Sequence, residues 1–326
     1  MAFYIPTIED IREAARRLSG DVHETPVLTS KTFDELTSTR CFFKAENVQR
    51  VGAFKIRGAL NKLRTLSDEE RSRGVITYSS GNHGQATACA ARLENVSCVV
   101  VMPEDARAAK RNATLAYGAE VTTAGTTSED RHTRAMELQE RHGYTVIPPY
   151  EDPLIIAGQG TCGLEIVRQV PDLDVLLVPV GGGGLISGCA LAVKSLMPSV
   201  EVIGVETAGA DDATQSFHRK ELIRYASTDT IADGMRNLSV GKLNFELMLD
   251  YVDDMITVSD SDVVAMMRFF FERMKMVVEP TGAVTATAAR VHAHRFAGKT
   301  VCAVVSGGNV GIEDLCALTA SGGSAS

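Results

Sequence analysis

Tryptophan is missing from this chain of 326 residues, and aromatic side chains make up only 6% of it. Neither scarcity implies disorder or a fibre, because apolar residues reach 44%, enough to bury a core. Cysteine is also uninformative as a scaffold. The seven cysteines, Cys41, Cys89, Cys98, Cys162, Cys189, Cys302 and Cys316, are odd in number, with no CxxC pair and no metal-ligand spacing. They read as reduced thiols of a cytoplasmic protein. A basic stripe is lacking too: 33 Lys and Arg stand against 41 Asp and Glu, for a net charge of −8, and the cations are scattered. That pattern excludes nucleic acid as the expected partner. The N-terminus is charged and amphipathic where a secretory signal would be apolar. The uncharged stretch 175–193 has the length of a membrane span, but Pro179 and the glycines at 181–184 interrupt it. No membrane is expected.

What is present is alternation. Thr7, with Asp10 three residues later, forms a capping-box pattern ahead of Ile8, Ile11, Ala15 and Leu18 at helical spacing. Short β-branched runs at 74–78, 97–102, 175–180, 200–205 and 300–305 then alternate with helical patterns. Such alternation predicts an α/β fold with mostly parallel sheets covered by helices on both faces. The turn-rich segments RSRG and PPYEDP bracket a smaller lobe at 74–148, which leaves 1–73 and 149–326 as a larger, discontinuous lobe. The tail SGGSAS, at 321–326, leaves no space for a regulatory domain and is expected to fray.

Three predicted strands run straight into small polar loops and then small-residue helices: VITY into SSGNHGQAT, LLVPV into GGGGLISG, and CAVV into SGGNVG. Beyond the carboxyl ends of parallel strands, helix N-termini present free N–H groups and a positive dipole end, so three such loops can converge on one anionic ligand. The glycines Gly181, Gly182, Gly183 and Gly184 suit a phosphate cradle, or a tight turn that only packs sheet on helix. They do not have GxGxxG spacing. Lys55 lies between Phe54 and Ile56, with Gly52 and Gly58 nearby. A lysine desolvated in such company has a lowered pKa, as Schiff-base chemistry requires.

The motifs FFKAENVQRVGAFKIRGAL, SSGNHGQA, IAGQGT, PVGGGGLISG, GVETAGADD, TIADG, VEPTGA and SGGN occur in this order along nearly the whole chain. Together they resemble the fold-type II pyridoxal-phosphate enzymes, in the branch of threonine/serine dehydratases, serine racemases and threo-3-hydroxyaspartate dehydratases. The resemblance implies two open, mostly parallel sheets in two lobes, with pyridoxal 5'-phosphate between them. It implies Lys55 as the Schiff-base lysine and later the base, with Phe54 beside the ring and Asn82 on the ring hydroxyl. Gly181, Gly182, Gly183 and Gly184 would hold the phosphate and Ser306 the pyridine nitrogen, with Gly234 and Glu279 near the ring edge. Ser79, Asn82 and His83 would receive the substrate carboxylate, and Ser80 would face the cofactor opposite Lys55. Arg131 would reach the substrate on lobe closure. Glu206, the carbonyl of Ala210 and Asp212 would bind Mg2+, or Ca2+ or Mn2+, unless this acidic cluster simply complements a helix dipole.

The expected reaction is β-elimination of water from a β-hydroxy amino acid, giving a 2-oxo acid and ammonia, in a cytoplasmic homodimer acting on a small amino acid. Val51-Gly52-Ala53 stands where many threonine dehydratases have Thr-Gly-Ser before Phe-Lys, so two hydroxyls are absent beside Lys55. Threonine, serine and threo-3-hydroxyaspartate all remain open, with a lean to the last. Serine racemisation is the alternative, because Lys55 and Ser80 on opposite faces would allow either outcome.

Overall fold

The structure, a computed structural model, describes residues 4–320 except Ser80 and Arg107. Thr7 opens the first helix, Ile8–Leu18, through a complete capping box: its hydroxyl accepts from the Asp10 N–H, and the Asp10 carboxylate accepts from the Thr7 N–H. Ile11, Ala14 and Leu18 form its buried stripe.

The strands are Val27–Thr29 (β1), Arg40–Ala45 (β2), Val75–Tyr78 (β3), Cys98–Met102 (β4), Glu120–Thr123 (β5), Thr145–Val146 (β6), Val175–Pro179 (β7), Glu201–Thr207 (β8), Asp254–Val258 (β9) and Thr300–Val305 (β10). They form a six-stranded sheet in the order β1-β2-β10-β7-β8-β9, parallel except for β1, and a four-stranded parallel sheet in the order β5-β4-β3-β6. All five runs read as strands are strands, within about two residues at their ends. Of the strands the periodicity missed, β1, β5, β6 and β9 lie at sheet edges. An edge strand is half solvated and lacks the continuous apolar run of a central parallel strand. β5 shows this, with no fully buried residue.

Alternation along β7 fills two layers. Val175 and Leu177 join the core that contains Phe43, Phe270 and Val284, whereas Leu176 and Val178 join the one that contains Ile186, Val193 and Met248. The helices Pro153–Gln169 and Gly184–Leu196 approach so closely that a Cβ on Gly188 would sit 2.4 Å from the Ile156 carbonyl oxygen. Gly158 plays the same part toward the lysine-bearing helix Ile56–Leu63, where an added Cβ would meet the Arg57 carbonyl oxygen at 2.5 Å. These glycines set the depth at which the Lys55 helix lies against its neighbour.

Candidate active site

Lys55 is the residue just before the helix Ile56–Leu63. Two left-handed residues, Val51 at φ 62° and Gly52 at φ 71°, turn the chain toward it. The Phe54 N–H then donates to the Ser306 carbonyl at 3.2 Å, and Ala53 pairs with Gly307. The end of β10 therefore fixes the residues on which Lys55 stands. The Lys55 ammonium, only partly accessible, donates to the Pro149 carbonyl at 2.7 Å and lies 5.1 Å from the Phe54 ring centroid. Burial lowers its pKa to about 8. At pH 7 about a tenth of such amines are neutral, roughly 200–300 times more than for an unperturbed lysine.

Pro149 leads into Tyr150, whose ring lies where a Cβ on Gly182 would be, at 2.1 Å, so the Lys55 anchor and the glycine loop are adjacent. Gly181 closes on the Gly234 carbonyl in the same way, at 2.4 Å, and Gly183 adopts φ 91°. The N–H groups of Gly181, Gly182, Gly183 and Gly184 donate to no described group, and they lead into the helix Gly184–Leu196. That is a free anion cradle at a positive helix end. Gly234 is held by its own N–H donating to Thr281 Oγ1 at 3.0 Å.

Asn82 begins the helix Asn82–Leu93. Its Nδ2 donates to Glu279 Oε1 at 2.7 Å, and its Oδ1 accepts from Asn309 Nδ2 at 2.8 Å. Glu279, buried, is pushed up to about 7 by burial and then by Asp233, against the hydrogen bond from Asn82. Ser306 is buried at the end of β10, and its hydroxyl has no partner among the described residues. Ser79 Oγ accepts the Gly81 N–H at 3.2 Å. Ser80 lies outside the described residues. His83 is buried with Nε2 3.0 Å from the Ile147 carbonyl, so that nitrogen carries the proton. Burial, then the charge of Lys55, lower its pKa to about 3, and Nδ1 is left without a partner. The imidazole thus offers this loop a lone pair, and the donors available to an anion are the backbone N–H groups of the helix's first turn. Arg131 is directed back along its own helix, donating to the Thr126 carbonyl and to Ser128 Oγ.

A second cluster follows β8. Glu206 is fully buried; its Oε2 accepts from the N–H and hydroxyl of Thr214, while Oε1 has no partner. Asp212 is buried and both of its oxygens lack partners. Burial, and then Asp212, raise the Glu206 pKa well above the carboxylate range, and burial moves Asp212 to about 7. Ala210, on the connecting turn, pairs with Thr207. Among the described residues no group of three or more His, Cys, Asp or Glu side chains could hold a metal, so a cation here would need carbonyl or water oxygens as well.

Two residues that the sequence reading passed over belong to the site. Asn309 closes SGGN, a motif read only for its serine, and Tyr150 lies in PPYEDP, read only as a lobe boundary. For Asn309 the position beyond the end of a predicted strand was the available signal; for Tyr150 there was none, because β6 before it was not predicted.

Residues 18–307 match the family described as pyridoxal-phosphate dependent enzyme. The chain belongs to that family. It is 45% identical over 314 residues to the L-threo-3-hydroxyaspartate ammonia-lyase of Saccharomyces cerevisiae, covering 96% of each chain. To the serine racemase of Schizosaccharomyces pombe it is 43% identical over 309 residues, covering 95% of this chain and 96% of that one. The structure of maize serine racemase superposes with a TM-score of 0.92 at 40% identity, covering 98% of both chains. The fold is accordingly that of the fold-type II pyridoxal-phosphate enzymes, and two of the three strand-end loops are joined directly through Asn82 and Asn309. No helix among the described residues is long and apolar enough to cross a membrane.

Proposed function

We propose that this enzyme eliminates water from a β-hydroxy amino acid and releases a 2-oxo acid and ammonia, the substrate being threo-3-hydroxyaspartate, L-threonine or L-serine. The carrying observation is the adjacency of a lysine with a lowered pKa and no acidic partner to a glycine loop with uncommitted N–H groups. That combination fits pyridoxal phosphate, which brings an aldehyde for the amine and a phosphate for the cradle. When bound, the cofactor supplies a conjugated electron sink for the charge left as Cα loses its proton.

The residues divide the work as follows. Lys55 Nζ is the amine that would hold the cofactor, and with substrate in the site it would accept the Cα proton; its low pKa suits that role near neutrality. Gly181, Gly182, Gly183 and Gly184 would bind the phosphate, with Gly234 against Gly181, and Phe54 would pack beside the ring. Asn82 takes the ring hydroxyl, with Glu279 behind it. Ser306 Oγ would bond the pyridine nitrogen, and as a hydroxyl it would not enforce a protonated ring, which favours elimination over transamination. Backbone N–H groups around Ser79, Asn82 and His83 receive the substrate carboxylate. Ser80 is the proposed acid for the departing hydroxyl. Overall the Cα–H and Cβ–O bonds break, water leaves, and the released enamine hydrolyses to the 2-oxo acid and ammonia.

Residues 74–148 act as the small lobe carrying the carboxylate-binding loop, with 1–73 and 149–326 as the larger. Mg2+ at Glu206, the Ala210 carbonyl and Asp212 would be structural or activating; the partnerless oxygens there support it. Exposed Val48 and Val277, drawn together where Asn47 Nδ2 donates to the Val277 carbonyl, suit a homodimer contact. A cytoplasmic location agrees with the cysteine usage.

The lean toward threo-3-hydroxyaspartate rests on the two missing hydroxyls beside Lys55 and on the 45% identical relative. The serine racemases keep racemisation as a second reading. The deciding experiment is 2-oxo acid and ammonia release from the three substrates, with chiral analysis of unreacted serine, for the enzyme and for Lys55→Ala. Lys55-dependent release is expected, largest from hydroxyaspartate; racemic serine without release would make the enzyme an isomerase. Arg131 is proposed to meet the second carboxylate, so Arg131→Ala should raise KM for hydroxyaspartate about tenfold or more and spare serine. Equal losses on both would remove that role.

A further inference from the structure

Val51 is the least comfortable residue of the lysine segment. It is β-branched, yet it holds φ 62° and ψ 12°, a left-handed conformation that such a side chain resists. Something must hold the turn: locally the Gly52 N–H donates to the Gln49 carbonyl at 2.8 Å, and the long-range groups come from 306–309. Asn309 Nδ2 donates to the Val51 carbonyl at 2.8 Å, and the Gly308 N–H donates to the Gly52 carbonyl at 2.9 Å. Gly52 is packed so tightly that a Cβ there would lie 2.6 Å from Asn309 Oδ1. The same Nδ2 also donates to Asn82 Oδ1 at 2.8 Å, and the Asn309 N–H donates to Glu279 Oε2 at 3.2 Å.

We infer that Asn309 is the positioning residue that locks the lysine-bearing turn and the Asn82 amide into one rigid unit. Both hydrogens of one amide are used, one on each partner. Because Asn82 Oδ1 is occupied by that donor and one hydrogen of Asn82 Nδ2 by Glu279, the amide cannot flip without breaking both bonds. Its remaining hydrogen is left for the cleft. Asn309 therefore ties the segment 50–55 to the start of the helix Asn82–Leu93 across the two sheets, while touching no reacting atom itself. Its consequence for catalysis rests on the function proposed above; the clamp itself does not.

The test is hydrogen exchange on the purified full-length protein, before and after loading with pyridoxal phosphate, for Asn309→Ala and the near-isosteric Asn309→Asp. Asp keeps the shape but sets an acceptor against two acceptors, so it separates hydrogen bonding from packing. Both variants should speed exchange on the order of tenfold in peptides covering 50–57 and 81–85, with the peptide 175–180 unchanged. In the loaded enzyme the cofactor dissociation constant should rise, and the effects of Asn309→Ala and Asn82→Ala should be less than additive when combined. Change in only one of the two peptides, change throughout the chain, wild-type behaviour of Asn309→Asp, or additive effects on cofactor binding would each overturn the inference. Failure of the functional reading shows separately, as absence of a Lys55-dependent absorption band in the unsubstituted protein, and leaves the exchange result decisive for the clamp.

Discussion

Glu46 and Glu206 are both fully buried glutamates, close in sequence to a sheet strand, and their pKa values move in opposite directions. Burial pushes each upward, but around Glu46 the Arg57 guanidinium more than offsets it, donating to Oε1 and Oε2 at 2.8 Å, and Thr25 adds a bond at 2.5 Å. Arg57 continues to Glu165, and Lys44 joins Glu165 at 2.6 Å, so two cations face two carboxylates. Around Glu206 the nearest charge is another carboxylate, Asp212, and three carboxylate oxygens of the pair have no partner. One buried cluster is electrically complete and ties β2, the Lys55 helix and the helix Pro153–Gln169 together. The other has no cation to answer it where water cannot help, so its carboxyls hold protons to higher pH, and a bound cation that replaced those protons would supply the missing charge.

The largest effect should come from breaking the complete cluster. Arg57→Ala strands Glu46 and leaves Glu165 with Lys44 alone, so it should cost about 3–5 kcal/mol in urea unfolding; Glu46→Ala leaves Arg57 and Lys44 sharing the single carboxylate of Glu165 and should cost less. The contrast requires Glu206→Gln to behave differently: removing charge there should leave the metal-free protein as stable or more so. If Glu206→Gln proved as damaging as Arg57→Ala, the distinction between the two clusters would collapse. The pH dependence differs as well. Glu46, with its pKa lowered, contributes stability that is present above the ordinary carboxylate range and lost as pH falls through its folded value. Glu206 and Asp212, with theirs raised, impose a cost that appears as pH rises toward their folded values and disappears in acid.

A smaller effect follows from adding the missing charge. Mg2+ at about a hundred times its dissociation constant should stabilise the protein by about 2.7 kcal/mol. The gain in melting temperature should be greater at pH 8 than at pH 5.5, since protons compete for the same oxygens below the raised pKa of Asp212, about 7. Asp212→Asn should abolish it. A cation response that survives both Glu206→Gln and Asp212→Asn would place the metal elsewhere.

What the sequence made legible follows the same division. Five of the six interior strands, the glycine loop and Lys55 were readable because each is written in consecutive residues, as an apolar run, four glycines or a flanked lysine, whereas interior β2 was not, its apolar run lying between the charged Arg40 and Lys44. The complete cluster was not, although Glu46 and Arg57 lie inside a motif singled out for Lys55. Its meaning depends on Glu165 and Thr161, more than a hundred residues from Arg57, and no local spacing announces such a partner. Asn309 was missed for the same reason, since Val51 and Asn82 reach it only through the fold. Charges were visible; whether each was answered was not.

Lys55 supplies the mirror case and the smallest expected effect. It is a desolvated cation with a carbonyl but no carboxylate beside it, and its pKa is lowered to about 8 where that of Glu206 is raised. A base lowered on folding binds fewer protons in the native state than in the unfolded chain, so cofactor-free stability should rise with pH between about 8 and the ordinary lysine value. Lys55→Met removes that dependence. Because the side chain is partly accessible, solvent screens much of the penalty, and the cofactor-free variant should gain only about 1 kcal/mol at pH 7 while the gap narrows by pH 9.5. Unfolding curves of the two cofactor-free proteins at both pH values decide it. A gap that stayed constant with pH would mean that packing, not the unanswered charge, sets the cost of holding the lysine in the cleft.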